Sequence, residues 1–182
     1  MIETENSLLL LIDLQEKLVN AVSEGADITA KACRLLKACQ LLRIPVVVTE
    51  QNPIGLGETV PSVSCVLPSG TVPHTKTSFS ALAVNSVQKA IQKPGRKQII
   101  VGGIETHICV WQTARDLQKA GYDVWIVADM CASRHSEDKE RALADLQANG
   151  CRVVGYESIL FAWLKDARHP QFKAIQALIK GK

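Results

Sequence analysis

Zinc-type cysteine spacing is missing from this chain. Its six cysteines (Cys33, Cys39, Cys65, Cys109, Cys131 and Cys151) form no CxxC pair and no Cys/His arrangement suited to a metal. Histidine is sparse too. His74, His107, His135 and His169 are separated singles, each suited to the surface or to one hydrogen bond rather than to ligation. Gly102-Gly103 lacks the G-x-G-x-x-G spacing of a dinucleotide site, so no nicotinamide or flavin is expected. Asp13-Leu14-Gln15 lacks the second carboxylate, two residues on, that a magnesium-dependent aspartyl-phosphate hydrolase needs. No metal or cofactor is expected.

Charge of one sign is also scarce. The net charge is +3, and basic residues gather only weakly at Lys93-Pro94-Gly95-Arg96-Lys97, which reads as a solvated turn. Nucleic acid is therefore not an expected partner. The apolar run Ser7 to Ile12 is far too short to span a bilayer, and Met1 to Glu5 carries no basic region of a secretory signal. The expectation is a cytoplasmic protein with free thiols and no membrane partner. Repeats, linkers and low-complexity tracts are absent.

Hydrophobic residues make up 47% of the 182, enough for one full-sized core in a single domain over residues 1–182. Leu8 to Ile12 reads as a strand buried on both faces, as in a parallel sheet. Further strands are expected at Pro45–Thr49, Gln98–Val101, Tyr122–Val127 and Arg152–Gly155. Helices are expected from Asp27 to Leu42, Ser80 to Gln92, the Cys109 region to Ala120, and Ser136 to Asn149. One or two short helices follow to the C-terminus. The stretch from Glu50 to Thr77, rich in Gly, Pro, Ser and Thr, is a long connection of the kind that usually carries function. This alternation predicts an α/β fold, a Rossmann-like three-layer α/β/α arrangement with a mostly parallel central sheet. Sites in such sheets form at the carboxyl ends of strands. Asp13, Thr49-Glu50-Gln51, Gly102 to Cys109 and Ala128-Asp129 should then converge on one rim.

Cys109 follows an apolar run and two glycines, at the start of a helical pattern. Helix-start N–H groups and the helix dipole favour a thiolate there, although a lone cysteine also fits as a small buried hydrophobe. Asp13, directly after the first strand, is either a cap for the following helix or a partly desolvated proton acceptor. Lys76, in His74-Thr75-Lys76-Thr77-Ser78-Phe79-Ser80, is either a surface charge or, beside Cys109, a cation that lowers the thiol pKa. Cys109 and Arg115 match the Cys-x5-Arg spacing of cysteine phosphatases. The five residues between them contain no glycine and look helical, which turns the arginine away from the thiol.

Leu-Ile-Asp13-Leu-Gln after the first strand, Lys76 before Thr-Ser-Phe-Ser, and Gly-Gly-Ile-Glu-Thr-His-Ile-Cys109-Val together resemble the isochorismatase-like cysteine hydrolases. The likeness runs from Leu8 to Tyr156. Thr49-Glu50-Gln51-Asn52-Pro53-Ile54-Gly55-Leu56-Gly57 resembles the isochorismatase domain-containing subgroup. The resemblance implies an Asp13–Lys76–Cys109 triad that hydrolyses a carbon–nitrogen bond, amide or carbamoyl, of a small-molecule substrate through a covalent acyl-enzyme. It further implies a cis peptide at Ile104-Glu105 and an oxyanion hole from the N–H groups of Glu105 and Cys109. It also implies a homo-oligomer, with apolar helix surface near Trp163 available for assembly. Nicotinamidases of this superfamily carry an Asp-x-His pair and a further histidine after the second strand; this chain has Glu50-Gln51-Asn52-Pro53 there, which argues against zinc. Gln51, Phe79 and Glu105 are candidate substrate contacts, and Ile54, Ile108 and Trp111 candidate pocket walls. The competing readings are a non-catalytic binding or scaffold protein of the same fold and a cysteine phosphatase.

Overall fold

Six strands, all parallel, form one sheet in a computed structural model that describes residues 1–181. The strands are β1 (Ser7–Ile12), β2 (Val46–Gln51), β3 (His74–Lys76), β4 (Gln98–Ile104), β5 (Asp123–Ala132) and β6 (Arg152–Val154). Their spatial order is β3-β2-β1-β4-β5-β6. The helices are α1 (Glu16–Ala21), α2 (Gly25–Leu42), α3 (Pro53–Leu56), α4 (Pro61–Ser64), α5 (Asn85–Gln92), α6 (Trp111–Lys119), α7 (Ser136–Ala148), α8 (Tyr156–Leu164) and α9 (Phe172–Lys180).

Every residue of β1 is buried, and its side chains part between two cores. Leu9 and Leu11 pack with α2, α8 and α9, including Ile28, Leu35, Leu160 and Ile175. Leu8, Leu10 and Ile12 pack with α5, α6 and α7, including Val87, Ile91, Leu117 and Leu146. This division is why the strand holds no polar residue between Ser7 and Asp13, and it produces the three layers read from the sequence. Among the described residues no helix is long and apolar enough to cross a membrane.

The differences from the sequence expectation have local causes. The connection between β2 and Thr77 is not irregular throughout, because it holds α3, α4 and the short strand β3. Three residues are too few for a period-two pattern to register. β5 runs on through Ala132, with a register shift opposite Val101 and Gly103 that re-pairs Gly103 with Cys131. Asp129 therefore lies within the strand rather than at its end. Its carboxylate accepts the Tyr156 N–H at 2.8 Å and stands 3.5 Å from Lys31 Nζ, so it faces α2 and α8 and leaves the rim. Trp163 itself is buried, donating its indole N–H to Ser7 Oγ at 2.9 Å, while Phe161, two residues before it in α8, is the exposed apolar side chain of that region.

Candidate active site

The sheet order reverses between β1 and β4, where chain leaves the two strands toward opposite faces and opens a crevice at their carboxyl ends. Asp13 and the β4–α6 connection flank that opening. Asp13 takes φ of +54° and sends its N–H to Thr49 O at 3.1 Å, which turns its side chain off the line of β1. Gly103, at φ +145°, makes the close approach of β4 possible. A Cβ there would lie 2.0 Å from the Ile12 carbonyl oxygen.

The Asp13 carboxylate is wholly enclosed. Its Oδ1 accepts the Thr49 hydroxyl at 2.7 Å, and its Oδ2 stands 2.7 Å from Lys76 Nζ; neither side chain of this ion pair is exposed. Lys76 comes from β3, two strands away, and reaches across β2. Its Nζ also donates to Gln51 Oε1 at 2.7 Å and toward the carbonyls of Ser78 (3.3 Å) and Phe79 (3.2 Å). Such a pair is costly to keep in a dry interior. The ammonium has Gln51 and two carbonyls as further acceptors and Oδ1 has Thr49, while Oδ2 accepts no hydrogen bond among the described residues and meets Lys76 only as an ion pair.

Gln15 supports this cluster from below. Its amide spans both polar groups of the Gln51 backbone, accepting the N–H at 2.7 Å and donating to the carbonyl at 3.0 Å. The side chain thus extends the β1–β2 pairing beyond the end of β1 and holds Gln51 against Lys76. Sequence reading placed Thr49 on the rim but gave it no role, and it missed Gln15. Their types carry no chemistry of their own, and the parallel register, with Ile12 opposite Thr49, shows what they meet.

Cys109 sits in a wide helical turn, Thr106–Val110, that leads into α6. The Val110 N–H bonds to Glu105 O at 3.2 Å, one residue further back than in a regular α-helix. The peptide bond between Ile104 and Glu105 is cis. Burial pushes the Cys109 thiol up to about 12; the Asp13 carboxylate adds to the rise and the Lys76 ammonium opposes it. This reverses the expectation of a preformed thiolate. Lys76 is already neutralised by Asp13, so the sulfur meets a buried ion pair rather than a free cation.

The remaining expected contacts divide. Glu105 is buried, with Oε1 accepting both the N–H and Nε of Arg134 at 3.0 Å. Gln51 has its amide engaged by Lys76 and by the Thr77 carbonyl (2.8 Å). Phe79 is half-exposed and Ile54 almost fully so. Ile108 and Trp111 are partly buried, the indole N–H of Trp111 donating to Asp145 Oδ2 at 2.7 Å. Arg115 exerts its charge on Cys151, while the cation acting on Cys109 is Lys76. That geometry does not serve a Cys-x5-Arg phosphate cradle. A cleft of about 700 Å³ borders Lys76, lined also by Asn52, Ile54, Thr77, Ser78 and Val84. Among the described residues no group of three or more His, Cys, Asp or Glu is placed to hold a metal.

Residues 7–158 match the family model described as the isochorismatase domain. The chain is 42% identical over 179 residues to isochorismatase domain-containing protein 2 of Danio rerio, covering 98% of this chain and 89% of that one. A solved structure named MAR1 ribonuclease, from Caenorhabditis elegans, superposes with a TM-score of 0.93 at 35% identity, covering 98% of this chain and 92% of the other. The YcaC product of Escherichia coli, described as an octameric hydrolase of unknown specificity, superposes with a TM-score of 0.87 at 19% identity, covering 99% and 95%.

Proposed function

The chain belongs to the isochorismatase family, and from that premise we propose that it hydrolyses a carbon–nitrogen bond, amide or carbamoyl, of a small molecule through Asp13, Lys76 and Cys109. The observation that carries this reading is the fully enclosed Asp13–Lys76 pair acting on the Cys109 thiol at the β1/β4 crevice. Buried charges grouped around a nucleophile are costly to keep, and they cluster where chemistry uses them.

With the thiol neutral at rest, attack and deprotonation proceed together. Asp13 takes the Cys109 proton as sulfur bonds to the carbonyl carbon. The carbonyl oxygen becomes an oxyanion facing the N–H groups of Glu105 and Cys109. Donors of this kind are worth roughly 3–4 kcal/mol in the transition state. Asp13 then returns its proton to the departing nitrogen, the carbon–nitrogen bond breaks, and a thioester with free ammonia or amine remains. Water, losing a proton to Asp13, attacks the thioester and yields the carboxylic acid; the proton passes to the sulfur and restores the thiol. Lys76 holds the Asp13 carboxyl in place throughout and favours the carboxylate to which it returns after each proton transfer.

The six free thiols are consistent with a reducing, cytoplasmic setting. The octameric YcaC product lends its fold-level support to a homo-oligomer. The raised thiol supports a second reading, a fold kept for binding without turnover. A panel of small primary amides and carbamates assayed for ammonia release, with intact-mass detection of an acyl adduct, separates the two. Ammonia release with an adduct on Cys109, both lost in Cys109→Ala, is the expected result. Equal release by both proteins would overturn the assignment. Cleavage of an oligoribonucleotide by wild type, in the absence of any amide turnover, would move it to the activity named for the C. elegans protein.

A further inference from the structure

Two cysteines take no part in the site described above and lie at the surface of the fold. Cys33 stands on α2 and is half-buried, and Cys65 directly follows α4 and is exposed. Both sulfurs rest on one atom. Cys33 Sγ lies 3.1 Å and Cys65 Sγ 3.3 Å from the Ser62 carbonyl oxygen, which caps their separation at the sum of those distances. The other four cysteines (Cys39, Cys109, Cys131 and Cys151) are buried.

We propose that Cys33 and Cys65 form an oxidant-responsive dithiol, a modification site for low-molecular-weight disulfides that closes into an intramolecular bridge between α2 and α4. The inference stands independently of the reaction at Cys109. Glutathione disulfide serves as the oxidant. The Cys65 thiolate attacks one of its sulfurs, breaking that S–S bond, releasing one glutathione thiolate and leaving a mixed disulfide on Cys65. The Cys33 thiol then loses its proton to solvent, and its thiolate displaces the second glutathione. Two protein thiols are oxidised and one glutathione disulfide is reduced to two thiols. The roles follow exposure. Cys65 is open to the reagent, whereas burial and the neighbouring Cys65 raise the Cys33 thiol despite Lys37, which suits it to the second, intramolecular step.

The location gives the bridge a structural effect. α4 belongs to the connection between β2 and β3, and the residues before it pin the approach to the site, since the Val60 N–H bonds to Leu14 O at 2.9 Å. Tying the end of α4 to α2 fastens that connection, and a cross-link of this kind removes freedom from the unfolded chain.

The test is incubation of the full-length protein with glutathione disulfide, followed by intact mass, peptide mapping and thermal unfolding. Wild type is expected to lose two hydrogens, to retain no glutathione, to yield a Cys33–Cys65 cross-linked peptide, and to unfold several degrees higher than before treatment. Cys33→Ser is expected to keep one glutathionyl group on Cys65. Cys65→Ser is expected to react at least about tenfold more slowly than wild type. A stable glutathione adduct on wild type, a Cys65–Cys65 cross-link between two chains, or no reaction at all would each overturn the proposal.

Discussion

Lys76 Nζ and Asp13 Oδ2 are 2.7 Å apart, and solvent reaches neither side chain. The two residues come from strands separated by β2, so their attraction ties the edge of the sheet to its centre. Removing one partner strands the other charge in a dry interior. Lys76→Met is expected to destabilise the protein by about 3–5 kcal/mol, measured by urea unfolding, and to abolish turnover. Pairing it with Asp13→Leu should recover part of the stability and none of the activity. A single mutant as stable as wild type would show that the pair is solvated.

Stability should fall on the alkaline side. The thiols of Cys109 and Cys131 are both raised from 9.0 to about 12, chiefly by burial. Above pH 9 the unfolded chain releases these protons while the native protein holds them, so the unfolded state binds fewer protons and is favoured as pH rises. The stabilisation is complete below pH 9 and is lost through about pH 12. Each thiol contributes a slope of up to about 1.4 kcal/mol per pH unit in that window. Unfolding free energies for wild type and Cys131→Ala should keep a constant offset below pH 9 and draw together above it.

Iodoacetamide should report the Asp13 charge directly. In wild type, Cys109 alkylation is expected to inflect far above the value of a free thiol. In Asp13→Asn the carboxylate that raises the thiol is gone while Lys76 remains, so the inflection should move down. Movement in the opposite direction would mean that the carboxylate does not act on the sulfur.

Gly103 cannot carry a side chain. Gly103→Ala places Cβ 2.0 Å from backbone at φ +145°, and the expected cost exceeds about 4 kcal/mol, read as loss of a cooperative unfolding transition. Gly70→Ala is the control. Its φ of +81° is strained for alanine, but nothing lies within 4 Å, and the cost should be about 1 kcal/mol.

Gln15→Leu removes the partners of the Gln51 backbone while preserving bulk. The orphaned N–H and carbonyl should cost roughly 2–4 kcal/mol. Because Gln51 holds Lys76, the kinetic effect should fall on kcat with KM little changed. A loss confined to KM would place Gln15 at the substrate instead.

The central strands and the helices between them were legible because burial on both faces leaves long apolar runs, as in Leu8–Ile12, and helical spacing such as Ile28, Ala32, Leu35 and Cys39. Asp13 and Cys109 were legible as residues placed just beyond such runs, and Lys76 chiefly through its motif. β3 was hidden because three residues on an edge show no period. The far half of β5 was hidden because Ala128 and Asp129 interrupt its apolar pattern. The roles of Thr49 and Gln15 depend on which strands lie side by side, a property of the sheet and not of any short stretch of sequence. The raised Cys109 thiol was missed for a related reason. Burial is the main cause of the rise, and the short stretch around Cys109 does not show how deeply it is buried; nor does it show that the Lys76 charge, which opposes the rise, is paired with Asp13.

β3 has a single neighbouring strand, and its pairing with β2 covers only Thr49–Gln51 against His74–Lys76. Edge strands of this length open by themselves, at free energies well below that of global unfolding. In amide hydrogen exchange, the β3 protons should therefore trade with solvent while those of β1 and β4 stay protected. Each such opening carries Lys76 away with its strand, so the cluster around Asp13 disassembles before the fold does. Thermal loss of the site and thermal loss of the protein are then separate events, with the first arriving at the lower temperature.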